Sequence, residues 1–332
     1  MEQFYFILTE KCNLSCTHCI RESSPHRDEK CETPVIKEAL LDIKTTFPMA
    51  QVLLSGGEPT IYHDFDEILK SSLDLGLKIT INSNGLTPFF SIENLKRWIK
   101  YPNLSIQISL DGIEKVHDSI RGVGTYKNVL KTLTNLNSMN ITSSISCTVV
   151  NLNFFDEVDE FLISLDHLDL KYISIKRATY AGRASSGMTI DTLEWNKHIY
   201  NLRNQQYKNK IIAFPMYDFE VLNRISDEAL SAIKLSNSSI NCGAGTAKVY
   251  IYPNGDVCSC TCFKDFPMGN LYDQSIDKII KQPFSIEVEE ETCEKCRYFI
   301  ICKGGCLGSG YQYNNILGKA DPRCPKIYSN ID

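Results

Sequence analysis

The stretch FYFILTEKCNLSCTHC, residues 4–19, sets the reading of the whole chain. Phe4 to Leu8 are apolar and β-prone. Cys12, Cys16 and Cys19 then follow as C-x3-C-x2-C on the loop that such a strand would feed. Three thiolates this close can wrap one corner of a 4Fe-4S cube and leave its fourth iron open to a substrate or cofactor. Spacing alone leaves zinc as the alternative, although zinc sites more often use paired C-x2-C units and four ligands.

Outward from this stretch, short β-type runs alternate with helical patterns, as βα units around a parallel sheet do. Six strands are expected: Phe4 to Leu8, Val52 to Leu54, Lys78 to Ile81, Ser105 to Leu110, Ser144 to Val150 and Tyr172 to Lys176. One helix should start with Thr33 as N-cap and Pro34 in the first turn, burying Ile36, Leu40, Ile43 and Phe47. Another, near Asn153, should bury Phe154, Val158, Phe161, Leu162 and Leu165. Two further helical patterns run from Asp191 to Leu235, and Ser236 to Asn241 reads as a linker.

Fourteen cysteines in 332 residues are far more than an ordinary intracellular enzyme uses, in a chain too long for a disulfide-stapled miniprotein. Residues 1–10 lack the basic n-region and apolar core of a secretory signal, and no run reaches the roughly 18 apolar residues of a membrane span. The expectation is a cytoplasmic protein off the membrane, with free thiols. A net charge of -5 argues against nucleic acid as partner.

On its cysteine triplet the chain resembles the radical S-adenosylmethionine (radical SAM) superfamily, and the resemblance extends to Gly56, Gly57, Glu58 and Pro59 in SGGEPT, which match the family's GGEP motif. That motif implies binding of the methionine amino group, with glycines permitting close backbone approach and a carboxylate offsetting the ammonium. NSNG at 82–85 and SLDG at 109–112, followed by HDSIRG at 117–122, end or follow the next strands. The resemblance carries cofactor contacts to Asn84, Ser109 and Arg121. His18 stands where relatives often have an aromatic residue, and packing beside the cluster is its expected role.

Cys293, Cys296, Cys302 and Cys306 form C-x2-C-x5-C-x3-C. Upstream lie Cys242, Gly255 and Cys260 as C-x12-G-x4-C, and downstream lies Cys324. This arrangement resembles the SPASM domain, the auxiliary-cluster extension of radical SAM maturases. It implies two more 4Fe-4S clusters, the first on Cys242, Cys260 and Cys306, the second on Cys293, Cys296, Cys302 and Cys324. The first set is one thiolate short, and Cys258 or Cys262 is expected to complete it. Cys147, alternating with Ile145 and Val149, reads as a core thiol, and Cys31 has no partner by spacing.

The expected fold is α/β: a partial (β/α)6 TIM-like barrel over residues 1–215, a connection over 216–239, and a small cysteine-rich auxiliary-cluster domain over 240–332. The resemblance implies an oxidoreductase using S-adenosylmethionine and three 4Fe-4S clusters. Its 5'-deoxyadenosyl radical would oxidatively modify a ribosomally made peptide or protein by crosslinking or dehydrogenation, and the auxiliary clusters would take up the second electron. A flavodoxin- or ferredoxin-type donor is the implied reductant. Cys12 comes too early for an N-terminal leader-binding domain, so either a separate protein delivers the peptide or the catalytic body binds it. The alternatives are a sulfatase maturase, disfavoured because Thr261 stands where those relatives have an aspartate base, and a small-molecule radical SAM dehydrogenase.

Overall fold

The computed structural model describes residues 1–184, 191–216, 224–232, 242–282 and 284–328. All six expected strands are present, with ends shifted by one or two residues: β1 Gln3–Ile7, β2 Gln51–Ser55, β3 Lys78–Ser83, β4 Leu104–Ser109, β5 Ser143–Val149 and β6 Ile173–Arg177. Each pairs in parallel with the next. Parallel pairing requires a crossover, and the chain supplies α1 Thr33–Thr46, α2 Phe65–Asp74, α3 Ile92–Leu95, α4 Glu114–Arg121, α5 Thr125–Ser138 and α6 Val158–Ser164. This topology gathers the loops that follow the strands at one edge of the sheet, where ligands of such folds collect.

Four strands go beyond the sequence expectation. β7, Ile211–Ile212, extends β6 within a segment expected to be helical. It follows α7 Thr192–Arg203. β8, Lys248–Ile251, lies parallel to β1 on the other flank, and the antiparallel β9 Asp256–Cys258 and β10 Gly269–Asn270 continue from it. The order β10-β9-β8-β1-β2-β3-β4-β5-β6-β7 leaves the sheet open, a partial barrel. The cysteine-rich segment thus enters the barrel sheet itself. The expected linker at 236–241 lies outside the described residues.

The two faces of the sheet differ sharply. Phe4, Phe6, Val52, Leu54, Ile79 and Ile81 pack outward with Ile36, Leu40 and Ile43 of α1 and with Ile68 and Leu69 of α2. Each such fully buried side chain contributes roughly 1.5–3 kcal/mol. Cys147 is fully buried in this layer, as its alternation suggested, and Cys31 is in it too. The inner face is polar. Gln51 donates to Thr80 at 2.7 Å, Thr80 and Ser105 share a hydrogen bond at 2.8 Å, and Gln107 donates to Tyr172 at 3.3 Å. A closed TIM barrel fills this space with branched apolar residues; here hydrogen-bonded polar side chains occupy it.

Helix α1 corrects one local expectation. Glu32, not Thr33, holds the cap position, and Thr33 instead donates its hydroxyl to Asp64 at 2.6 Å. A tertiary partner outcompetes the local cap. Among the described residues no helix is long and apolar enough to cross a membrane.

Candidate cofactor and cluster site

At the C-terminal edge of the parallel strands lies a cavity of about 360 Å³, within the roughly 300–1,000 Å³ typical of small-molecule sites. Cys12, Cys16 and Cys19 line it together with Gly56, Gly57, Asn84, Ser109 and Arg121. The expected thiols and most of the expected cofactor residues therefore converge on one space. Glu58 and Pro59 do not line it.

The loop carrying the thiols is docked by backbone contacts that only glycine permits. Gly57 N–H donates to the Thr9 carbonyl at 2.8 Å and Glu58 N–H to that of Lys11 at 2.9 Å. A Cβ on Gly56 would lie 2.5 Å from the Thr9 oxygen, and one on Gly57 would lie 2.2 Å from that of Lys11. The Glu58 carboxylate is fully buried. It accepts from Thr60 Oγ1 at 2.6 Å, Ser83 Oγ at 2.8 Å and Asn84 N–H at 2.8 Å. Burial pushes its pKa up against these bonds. These bonds tie it to the loop after β3, from which Asn84 donates to Asn13 at 2.7 Å and to Cys12 Sγ at 3.7 Å.

Asp111, part of SLDG but given no role from sequence, organises the opposite wall. It accepts from Arg121 Nε at 2.5 Å and from Thr148 N–H at 2.8 Å, and it pairs with His18 Nε2 at 3.1 Å. Burial alone would raise its pKa; the Arg121 guanidinium and His18 hold it far below the usual carboxylate range. His117 accepts from Asp111 N–H at 3.1 Å, and burial lowers its pKa to about 4, so it is neutral. Arg121 also reaches Cys16 Sγ at 3.9 Å.

A third grip comes from the loop after β6. Arg183 donates to the Cys16 carbonyl at 2.9 Å and to that of Ser23 at 2.8 Å, and its N–H donates to Cys19 O at 3.0 Å. Gly182, at φ +58°, sits where a Cβ would meet the Cys19 oxygen at 2.4 Å. Lys176 points into the cavity with Ser146 Oγ at 3.4 Å, and enclosure by the sheet lowers its pKa. No acidic side chain is among the described residues lining this cavity.

Farther along the chain the thiols divide between two places. Cys293, Cys296, Cys302 and Cys324 all line one small cavity beside Tyr298 and Ala320. Cys242, Cys260 and Cys306 line a larger one of about 690 Å³, walled by Phe263, Phe284, Val288 and Phe299. Of the two claimants for the remaining place, Cys258 has no exposure and packs with Ile7 and Tyr252, whereas Cys262 adjoins Cys260.

Among the described residues no three His, Cys, Asp or Glu converge as ligands of a single ion would. The thiols surround spaces instead, which suits a cluster better than one zinc. Burial pushes the Cys12 thiol up to about 12 and raises that of Cys16. Such thiols stay protonated at neutral pH unless a bound metal stabilises the thiolate, as iron would. The residues present fit the group.

An open parallel barrel with a thiol triplet, a docked glycine pair and a polar cavity at its strand ends has the architecture of a radical SAM protein, and the comparisons agree. Residues 6–168 match the radical SAM superfamily, to which the chain belongs. Residues 242–303 match SPASM, an iron-sulfur cluster-binding domain, so the chain is of the SPASM-bearing kind. It is 26% identical to the mycofactocin maturase MftC of Mycolicibacterium smegmatis, over 96% of this chain and 81% of that one. It is 24% identical to a cysteine-type anaerobic sulfatase-maturating enzyme of Clostridium perfringens, over 89% and 85%. The crystal structure of Streptococcus suis SuiB bound to precursor peptide SuiA superposes with a TM-score of 0.79 at 18% identity, covering 97% of this chain and 75% of that one, a likeness of fold. The radical SAM domain binds S-adenosylmethionine and a 4Fe-4S cluster, and the SPASM domain binds auxiliary iron-sulfur clusters.

Proposed function

We propose that the chain oxidatively modifies a ribosomally made peptide or protein, using S-adenosylmethionine, one 4Fe-4S cluster on Cys12, Cys16 and Cys19, and two auxiliary clusters. The observation that carries the reading is the convergence of those three thiols with Gly56, Gly57, Asn84, Ser109 and Arg121 on one cavity. The maturase named for mycofactocin, and SuiB in complex with a precursor peptide, support a peptide substrate.

With cofactor and cluster bound, one-electron reductive cleavage of the sulfonium supplies a radical able to abstract hydrogen from an unactivated carbon. The protein's part is positioning. Gly56 and Gly57 dock the cluster loop, Arg183 and Asn84 hold it from two sides, and Asp111 fixes Arg121 and His18. Gln107, Ser146, Thr148 and Lys176 form the polar wall beneath, where a peptide backbone could hydrogen-bond. The four-thiol set Cys293, Cys296, Cys302 and Cys324 suits a saturated electron-transfer cluster. That favours a reaction losing two hydrogens, a crosslink or dehydrogenation.

The 24% identical sulfatase-maturating relative favours a second reading, oxidation of a cysteine or serine to an aldehyde. Thr261 offers no carboxylate there, and nearby Asp265 is exposed. Mass spectrometry of an anaerobic reaction with a candidate precursor peptide tests the two. Loss of two hydrogens that fragmentation places in a crosslink or a carbon-carbon double bond supports the first reading; an aldehyde captured by a hydrazine, formed by loss of two hydrogens from serine or by exchange of sulfur for oxygen at cysteine, replaces it with the second.

A further inference from the structure

By sequence Cys258 and Cys262 stand symmetrically about Cys260, and the fold separates them. Cys258 ends β9 with no exposure, closed in by Ile7 and Tyr252, and its thiol hydrogen is directed at the Lys264 carbonyl at 3.8 Å. Apolar packing and that one carbonyl account for its surroundings.

Cys262 lies where two elements meet. After β9 the chain enters a one-turn 3-10 helix, Thr261–Phe263, capped by Cys260, whose Sγ accepts the Cys262 N–H at 3.4 Å. Facing it, the helix Leu307–Asn314 is capped by Cys306, whose Sγ accepts Ser309 N–H at 3.4 Å. That helix packs on the 3-10 turn and holds it from a second point, where Gln312 donates to the Cys262 carbonyl at 3.0 Å.

Gly308, in the first turn of the helix, shows where the sulfurs stand. A Cβ there would lie 2.9 Å from Cys262 Cβ, 3.2 Å from Cys260 Sγ and 3.4 Å from Cys262 Sγ. Both thiols therefore press against the turn that Cys306 opens. Gly308 also lines the cavity shared by Cys242, Cys260 and Cys306.

We propose that Cys262, and not Cys258, is the fourth thiolate of the first auxiliary cluster. The inference rests on the reading that the chain holds auxiliary clusters. With Cys242, Cys260 and Cys306 it gives four sulfur ligands, so no iron is left open there and the substrate is not held by that cluster. Cys258 stays a neutral packing thiol.

The test removes the radical SAM cluster first, by Cys12→Ala, Cys16→Ala and Cys19→Ala together. The auxiliary clusters of the full chain are then read alone by iron and sulfide analysis, Mössbauer and EPR spectra. This parent should hold about eight irons. Adding Cys258→Ala should leave iron and spectra unchanged. Adding Cys262→Ala should lose iron or shift the spectrum of one cluster, and cyanide should then perturb that cluster while leaving the parent's alone. If Cys262→Ala folds poorly, Cys262→Ser provides an oxygen ligand of the same shape and should shift the EPR signal where Cys258→Ser does not. Unchanged spectra in both Cys262 variants, or the change appearing in the Cys258 variants, overturn the assignment. A parent that holds zinc in place of iron overturns the auxiliary-cluster reading itself, before the two cysteines are compared.

Discussion

Gly57→Ala is the most telling single perturbation of the cofactor site, because its cost is set by one contact. The added methyl would stand 2.2 Å from the Lys11 carbonyl oxygen and 2.6 Å from its carbon, both backbone atoms that cannot rotate away. Relief needs the cluster loop to recede by about 1 Å. That movement breaks the bonds from Gly57 N–H to Thr9 and from Glu58 N–H to Lys11, at 2.8 and 2.9 Å, each worth about 1 kcal/mol. With residual strain the loss comes to about 2–4 kcal/mol, a fall in Tm of several degrees. A displacement of about 1 Å at a reacting centre costs on the order of a hundredfold in rate. Gly76→Ala is the control: its Cβ would meet nothing nearer than Lys44 Nζ at 3.6 Å, so only the strain of φ +72° applies, about 1 kcal/mol. The assay is 5'-deoxyadenosine formation under dithionite, with iron content and thermal unfolding measured in parallel. A Gly57→Ala protein that keeps the control's rate and full iron would refute the docking argument.

Three further outcomes are expected. Arg183→Ala removes the bonds to Cys16 O and Ser23 O; amide exchange over residues 12–24 should accelerate and 5'-deoxyadenosine formation fall, while Arg183→Ala with wild-type exchange would show that the grip is dispensable. His117 has a folded pKa of about 4 against an ordinary 6.5, so the unfolded chain takes up its proton first as pH falls. Stability should drop by about 1.3 kcal/mol between pH 7.5 and 5.5 from this group, and in denaturant titrations His117→Gln should flatten that slope; an unaltered slope contradicts the assignment. Cys147→Ala, on the core face of β5, should cost about 1–2 kcal/mol and no iron; lost iron would mean that the cysteine sets are wrongly divided.

Much of this arrangement was legible in the chain because it is local. The six central strands are short β-prone runs separated by helical patterns, and the thiol triplet and glycine pair sit on single loops. What escaped is non-local. β8, Lys248–Ile251, is four residues long and gains its meaning only from pairing with β1, at the far end of the chain. Arg183 gave no signal because its partners are carbonyls, which every residue possesses. Asp111 was in view as part of SLDG, yet its use depends on His18 and Arg121 arriving from two other segments. In sequence the glycines imply close backbone approach to a cofactor, and the structure adds a nearer reason, the backbone of Thr9 and Lys11. Likewise Cys258 and Cys262 differ only by the turn between them and by the helix that covers one of them.

The proposed function requires a reducible thiol-bound cluster that cleaves S-adenosylmethionine in this cavity. Anaerobic reconstitution followed by metal analysis and one-electron reduction in the presence of S-adenosylmethionine measures it directly. About twelve irons per chain and formation of 5'-deoxyadenosine are expected, with Cys12→Ala, Cys16→Ala and Cys19→Ala together abolishing the nucleoside while about eight irons remain. Zinc in place of iron, or 5'-deoxyadenosine that survives loss of the three thiols, would contradict it.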